Sequence, residues 1–327
     1  MKALLCKAFG PPDSLVVEEV ADPPAPGPGE VKLAVHASGL NFADTLMIAG
    51  TYQEKPAFPF SPGMECAGTI MEVGKGVAHL ARGERVMAIT GHGAMAEQAI
   101  APADRVFRIP AAMTFEQAAG FPVTYGTAYY ALVDRARLEA GETLLVHGAA
   151  GGAGSVAVEI GKLLGATVIA TAGSDAKVAA AKRFGADHGI NYATQSVKDA
   201  VKALAPEGAD VVFDPVGGDV FDQSLRCVAA DGRILVIGFA SGRIPSVPAN
   251  LLLVKNIAVV GVYWGGFTRR YPAKNRANFE TMLGWFEEGR LKPPATTSYP
   301  LVDAAQAMKA LLARQSTGKL VIATRGG

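Results

Sequence analysis

The hydrophobic and polar positions change their period part-way along the chain. Up to about residue 110 the apolar residues come in short runs, 15–20, 30–38, 66–73, 84–89 and 105–109, set apart by glycine and proline. Short runs with such punctuation predict a small barrel-like β domain. Residues 21–29 carry too much proline for helix or central strand and are expected to form a connecting loop. Residues 114–132 read as helical in parts, with Thr114 and Gln117 at capping-box spacing and Pro122 splitting the run. From Thr143 onward, strand-like and helix-like runs alternate. Strands are expected over 143–147, 167–171, 210–214, 233–237 and 256–262, and helices over 153–164, 175–184, 196–204 and 219–228. That alternation predicts a doubly wound parallel sheet whose ligand lies beyond the carboxyl ends of the strands. Amphipathic helices over 278–289 and 304–314 and a strand over 319–323 close the chain.

The first of the alternating strands runs into Gly148-Ala149-Ala150-Gly151-Gly152-Ala153-Gly154, and a helix follows. Strand, glycine turn, helix and strand make one βαβ unit with parallel strands. Glycines let backbone N–H groups approach a ligand and let the helix pack tightly on the strand. The positive end of that helix favours a pyrophosphate. Ala150, Gly151, Gly152, Ala153 and Gly154 are therefore candidate dinucleotide contacts. An NAD site carries Asp or Glu about 20 residues beyond the glycines, for the ribose hydroxyls. Here the second strand ends in Ala172-Gly173-Ser174. That leaves room for a 2′-phosphate, with the Ser174 hydroxyl as donor and Lys177 as compensating charge, and points to NADPH. The competing expectations are Ser174 as a helix cap, Lys177 as a solvated surface residue, and Asp175 turned towards the ribose. By their place at strand ends, Val216, Gly217, Gly238, Phe239, Ala240, Ser241, Tyr263 and Trp264 are further candidates.

Composition narrows the partners. The 327 residues are 50% hydrophobic with a formal net charge of +1, which argues against a nucleic-acid footprint or a polybasic membrane surface. Cys6, Cys66 and Cys227 form no CxxC pair, so neither a disulfide framework nor a cysteine-rich zinc lobe is expected. Gly10-Pro11-Pro12-Asp13 interrupts the N-terminal apolar run before a signal-peptide core, and no apolar stretch is long enough to span a bilayer. A cytoplasmic protein is expected.

The run from His147 to Tyr192 resembles the zinc-independent quinone oxidoreductase (zeta-crystallin-like) branch of the medium-chain dehydrogenase/reductase superfamily. The resemblance is carried by the glycine turn, Lys177, Phe184-Gly185-Ala186-Asp187 and Ile190-Asn191-Tyr192. It extends to Pro28-Gly29-Glu30-Val31, Gly39-Leu40-Asn41-Phe42-Ala43-Asp44, Pro62-Gly63-Met64-Glu65 and Gly83-Glu84-Arg85-Val86. It implies an α/β protein with an N-terminal GroES-like β-barrel catalytic domain over 1–120 and a Rossmann NADPH-binding domain over 121–264. A C-terminal segment, 265–327, would return to the catalytic domain, and a homodimer is expected. It further implies that Ser174, Lys177 and Tyr192 hold the adenosine 2′-phosphate. Thr127 would face the nicotinamide ring, or else cap a helix. Asn41 and Tyr52 would line the substrate side, Asn41 also touching cofactor. Zinc-dependent members place a cysteine two residues after the glycine matching Gly39 and a histidine before the glutamate matching Glu65. This chain has Asn41 and Met64 there, both poor zinc ligands. His36, His79, His92, His147 and His188 show no ligand spacing, and no metal site is expected.

A β domain joined to a nicotinamide-binding domain suits hydride transfer. Without metal or flavin the acceptor must itself be electrophilic, as quinones and α,β-unsaturated carbonyls are. The enzyme then supplies positioning, water exclusion and donors for the developing oxyanion, with the Asn41 amide and the Tyr52 phenol as candidates. Tyr52 reads equally as a loop anchor. The first reading is an NADPH:quinone oxidoreductase. The alternatives are a reductase of enones or of 2-enoyl or acryloyl-CoA-type double bonds, and an NADPH-binding structural protein of zeta-crystallin type. Arg269 and Arg270, continued by Lys274 and Arg276, would meet the phosphates of a CoA thioester or belong to a solvated loop.

Overall fold

Glycine and proline spacing sets the strand lengths of the N-terminal half. A computed structural model describes residues 1–325 in two units, one of 1–123, 272–283 and 293–325, the other of 124–271 and 284–292. In the first unit, β1 (Lys2–Leu5) pairs antiparallel with β2 (Val16–Glu19). Then come β3 (Glu30–Gly39), α1 (Phe42–Ile48), β4 (Glu65–Val73), β5 (Arg85–Ile89), β6 (Gln98–Pro102), β7 (Val106–Arg108) and α2 (Phe115–Ala119). The strand β3 pairs antiparallel with both β4 and β6, β4 pairs with β5, and β5 with β7. Val31, Leu33 and Val35 alternate onto one face of β3 and share a core with Val86 and Ala88 of β5. Thr114 caps α2 as its spacing predicts. It accepts the Gln117 N–H at 3.2 Å, while Gln117 accepts the Thr114 N–H at 3.1 Å.

The chain continues through α3 (Phe121–Tyr129), a π-helical turn at Tyr130–Arg135, and β8 (Thr143–Val146), α4 (Gly152–Leu163), β9 (Thr167–Ala172), α5 (Asp175–Arg183) and β10 (His188–Asn191). Next are α6 (Val197–Leu204), β11 (Ala209–Asp214), α7 (Gly218–Cys227), β12 (Val228–Val236), α8 (Ala249–Lys255), β13 (Ala258–Gly261) and α9 (Trp264–Arg270). The six strands are all parallel, in the order β10-β9-β8-β11-β12-β13. Leu145, Ile169, Ile190, Val212 and Ile234, one from each of five strands, meet in its core. The winding reverses between β8 and β11, and a crevice at such a switch point is where ligands bind.

The last elements are α10 (Pro272–Glu287), β14 (Thr296–Pro300), α11 (Ala304–Leu312) and β15 (Lys319–Ala323). In the first unit, β15 runs parallel to β14 and antiparallel to β3, with Ile322 opposite Ser38. The segment 265–327 does not act as one piece. The Trp264 indole fills the space a side chain at Gly126 would need, and Phe267 stacks on Tyr130 at 4.2 Å between ring centres. Trp285 lies 5.7 Å from Tyr129, so 265–271 and 284–292 belong with the second unit. Four strands escape the sequence pattern, among them β10, a short His-Gly-Ile-Asn. The buried positions of β6 are only Ala99 and Ala101, β1 has four residues, and β14 is a polar Thr-Thr-Ser-Tyr-Pro. Among the described residues no helix is long and apolar enough to cross a membrane.

Candidate functional site

In the second unit the glycine turn follows β8 directly. Gly151 caps α4 without a side chain, so the first-turn N–H groups, carried by Gly152, Ala153 and Gly154, face whatever lies beyond the helix end. A Cβ at Gly154 would stand 2.3 Å from the Gly148 carbonyl oxygen, so only glycine lets the helix start this close to the turn. The loops after β11 and β12 close around it. Ser241 N–H donates to the Val216 carbonyl at 2.8 Å and Ala240 N–H to that of Pro215 at 3.1 Å. A Cβ at Gly148 would meet Val216 at 3.3 Å, so Val216, Gly238, Phe239 and Ala240 gather beside the turn at the switch point. Asp214 steadies this edge, its Oδ1 accepting the N–H groups of Val216 at 2.7 Å and Gly217 at 2.9 Å.

His147 supports the turn and is fully buried. Its Nε2 lies 2.7 Å from Ser224 Oγ and its Nδ1 2.9 Å from Thr171 Oγ1. The single hydroxyl proton of Ser224 goes to the Val220 carbonyl, at 2.8 Å, so Ser224 accepts from Nε2–H and Nδ1 accepts from Thr171. Burial lowers the imidazole's pKa and keeps it neutral. It ties β8 to β9 and α7.

At the tip of β9 the predicted adenosine contacts come together. Ser174 caps α5, accepting the Lys177 N–H at 3.4 Å, which leaves its hydroxyl proton to donate elsewhere. Cap and donor are thus compatible. The Tyr192 phenol lies over Gly173, where a Cβ would be 3.0 Å from its oxygen. Asp175 is engaged by the Asn191 amide at 2.8 Å, which holds its carboxylate on β10. Thr127 lies inside α3 and is not its cap. Trp264 and Tyr263 part company: the indole is buried on α3, whereas the exposed Tyr263 phenol accepts from Arg269 at 2.9 Å. Arg269 and Arg270 lie in the last turn of α9 rather than in a loop, with Arg270 over the Tyr271 ring at 5.4 Å. Arg276 does not continue a free positive run. It donates to the carbonyls of Ala103, Asp104 and Val106.

The first unit holds the second cluster. Asn41 stands at the N-cap position of α1, where Asp44 Oδ2 accepts its backbone N–H at 2.8 Å. Nδ2 donates to Glu65 Oε1 at 2.8 Å, and Oδ1 accepts from the Lys319 ammonium at 2.6 Å. Lys319 also bonds Glu65 Oε1 at 2.7 Å, and Glu65 Oε2 accepts the Val123 N–H at 2.7 Å. Gly39 is required here, since a Cβ would lie 2.3 Å from Glu65 Oε1. Tyr52 follows α1, half-buried against the core, with its N–H on the Leu46 carbonyl at 3.2 Å. Nothing in the sequence pattern marks Lys319. A lysine opening an apolar strand normally lies in solvent, and its burial depends on pairing between β15 and β3, remote in sequence.

Asp44 completes the cluster, accepting the N–H groups of Asn41 at 2.8 Å and Gly63 at 3.0 Å. Burial pushes its carboxyl up to about 7, against an ordinary value of 3.8. A raised acid stabilises the fold while protonated. Its contribution is complete below 3.8 and is lost as the pH rises through about 7. The stability of the wild type relative to Asp44→Asn should therefore fall by a few kcal/mol, roughly 1.4 per pKa unit, between pH 4 and 7.5. Urea midpoints of the two proteins across that range would measure it, and a constant difference would refute the assignment.

Comparison with known proteins bears on both clusters. Residues 27–111 match the alcohol dehydrogenase GroES-like domain and residues 152–288 the zinc-binding dehydrogenase family. The chain is 42% identical over 328 residues to quinone oxidoreductase-like protein 2 homolog of Nematostella vectensis, covering 99% of this chain and 89% of that one. It belongs to the quinone oxidoreductase-like, zinc-independent branch of the medium-chain dehydrogenase/reductase superfamily. Solved structures agree with this membership. A quinone oxidoreductase of Pseudomonas syringae pv. Tomato DC3000 superposes with a TM-score of 0.92 at 33% identity, over 98% of this chain and 99% of that one. The Escherichia coli quinone oxidoreductase, complexed with NADPH, gives 0.91 at 29%, over 99% and 100%. The two units thus carry the GroES-like and Rossmann-like folds of the superfamily. The family description mentions zinc, but this branch member has Asn41 and Met64 at the ligand positions and an ammonium against Asn41. Among the described residues no group of three His, Cys, Asp or Glu is placed to hold a metal ion.

Proposed function

We propose that this oxidoreductase binds NADPH on its second unit and reduces a quinone, with an α,β-unsaturated carbonyl as the alternative acceptor. The observation that carries the cofactor choice is the grouping of Gly173, Ser174, Lys177 and Tyr192 at the tip of β9, with Asp175 engaged by Asn191. The residues fit the cofactor. Glycine at 154 and the side-chain-free cap at 151 admit a pyrophosphate at the start of α4, and glycine at 173 leaves the Tyr192 phenol uncovered. Bound NADPH supplies a hydride equivalent. Ser174, Lys177 and Tyr192 hold the 2′-phosphate, and Val216 with Gly238, Phe239 and Ala240 line the turn beside the dinucleotide. In the first unit, Asn41 and Tyr52 face the acceptor. A quinone that gains the hydride becomes a hydroquinone anion, and a solvent proton completes the product. Arg269, Arg270 and Arg276 are engaged within the chain and lend no special support to a CoA thioester.

Steady-state oxidation of NADPH with a quinone, an enone and an acryloyl thioester tests the acceptor. Lys177→Ala tests the cofactor. A hydrogen bond to a charged group contributes about 1.5–3 kcal/mol, so the NADPH dissociation constant should rise about tenfold or more. The NADH constant should stay nearly unchanged, and equal wild-type affinity for both cofactors would overturn the choice.

The homodimer forms through the open edge of the parallel sheet, in the same proposal. β13 is an edge strand; on α8, the helix before it in the chain, Leu253 and Val254 are 82% and 79% exposed, and Ile244 in the loop before α8 is 71% exposed. Unpaired edges and clustered apolar exposure favour a partner. Leu253→Glu combined with Val254→Lys should give a monomer in sedimentation equilibrium, and an unchanged dimer mass would rule out this face.

A further inference from the structure

Lys319 is buried at the start of β15, where Glu65 Oε1 and Asn41 Oδ1 take its ammonium at 2.7 and 2.6 Å. Asn41 Nδ2 donates to the same Glu65 oxygen at 2.8 Å. This triangle permits one orientation of the amide. Turned over, Asn41 would set its NH2 against the ammonium and its carbonyl against the carboxylate. Glu65 holds one of the two Nδ2–H bonds. The Gly39 carbonyl stands 3.5 Å from Nδ2, too far to hold the other firmly. We propose that Lys319 is a positioning residue for acceptor reduction: its ammonium fixes and polarises the Asn41 amide, so that the second N–H is offered to the acceptor oxygen on which charge develops. A cation on an amide oxygen draws electron density from the nitrogen and makes its N–H a stronger donor. Inside a buried cluster that effect is poorly screened and needs no rearrangement during the reaction.

The inference rests on the proposed function, with Asn41 on the acceptor side. For an enone, the β carbon gains a hydride from NADPH, the C=C pair shifts to join the α carbon to the carbonyl carbon, the carbonyl π pair moves onto oxygen, and NADP+ is left. A solvent proton at the α carbon completes the saturated ketone. The Asn41 N–H steadies the enolate oxygen in between. A purely structural ion pair would instead affect folding and act independently of Asn41.

Lys319→Met alone would strand the Glu65 carboxylate, so the main test uses Glu65→Gln with Lys319→Met, a neutral pair. Circular dichroism establishes that it is folded, and fluorescence titration should give an NADPH dissociation constant within about twofold of wild type. The kcat for enone and quinone should fall about tenfold with little change in the acceptor KM. Adding Asn41→Ala should then cost little more, although Asn41→Ala alone also lowers kcat, because the lysine acts through the amide. A second readout is independent of turnover. The Asn41 side-chain amide proton resonances should shift and exchange faster with solvent once Lys319 is replaced. Unmoved resonances, wild-type kcat, or losses that simply multiply, in a wild type that is active, would overturn the proposal alone. A wild type that oxidises no NADPH with either acceptor would overturn the functional reading and this inference with it.

Discussion

Gly154→Val is expected to abolish tight NADPH binding. The new Cβ would stand 2.3 Å from the Gly148 carbonyl oxygen and 2.9 Å from the Ala149 Cα, both backbone atoms that cannot swing aside. The start of α4 must therefore move off the turn, carrying its first N–H groups with it. Overpacking of this kind costs about 1–3 kcal/mol, and the two γ-methyls of valine add to it. If that distortion is relieved in the free protein and must be reversed on binding, affinity falls about ten- to hundredfold. Quenching or enhancement of NADPH fluorescence on titration measures it, with the melting curve as control. Wild-type affinity in a folded Gly154→Val protein would remove the glycine turn from the cofactor site.

Glu65→Ala should have the largest effect on stability. The carboxylate is fully buried and answers three donors: the Lys319 ammonium, the Asn41 amide and the Val123 N–H. Removing it leaves a buried cation unpaired, which costs about 3–5 kcal/mol. For a unit of this size that lowers the melting temperature by roughly 10 °C. The double variant Glu65→Leu with Lys319→Met should recover most of the loss, because a buried ion pair replaced by apolar side chains is often near neutral. A Glu65→Ala protein as stable as wild type would mean that water or another group reaches Lys319.

Much of the second unit is legible in the sequence because its evidence is local. The glycine turn, the Ser174 cap and the strand–helix alternation each occupy a few consecutive residues, and the structure places them at one end of a parallel sheet. The first unit resists reading for the opposite reason. Lys319 meets Asn41 across 278 residues and Glu65 across 254, through strand pairing that no local pattern encodes. Asn41 is legible only through the family resemblance, which says what stands at the position but not what holds it. Arg276 misleads the reading because a charge run looks the same whether solvated or turned onto buried carbonyls. The role of Asp175 is open in the sequence because the partner that engages it, Asn191, lies on the next strand.

The packing of Trp264 on Gly126 and of Trp285 beside Tyr129 decides what an optical experiment on this protein can see. The chain has two tryptophans, and both lie in the second unit. Tryptophan emission therefore follows the nucleotide-binding unit, and loosening around Glu65 and Lys319 takes place where there is no indole to register it. A fluorescence melt of Glu65→Ala would overlook the lesion if the two units open separately. Calorimetry or far-ultraviolet circular dichroism would record it, and a gap between the optical and calorimetric midpoints would measure how independently the halves unfold.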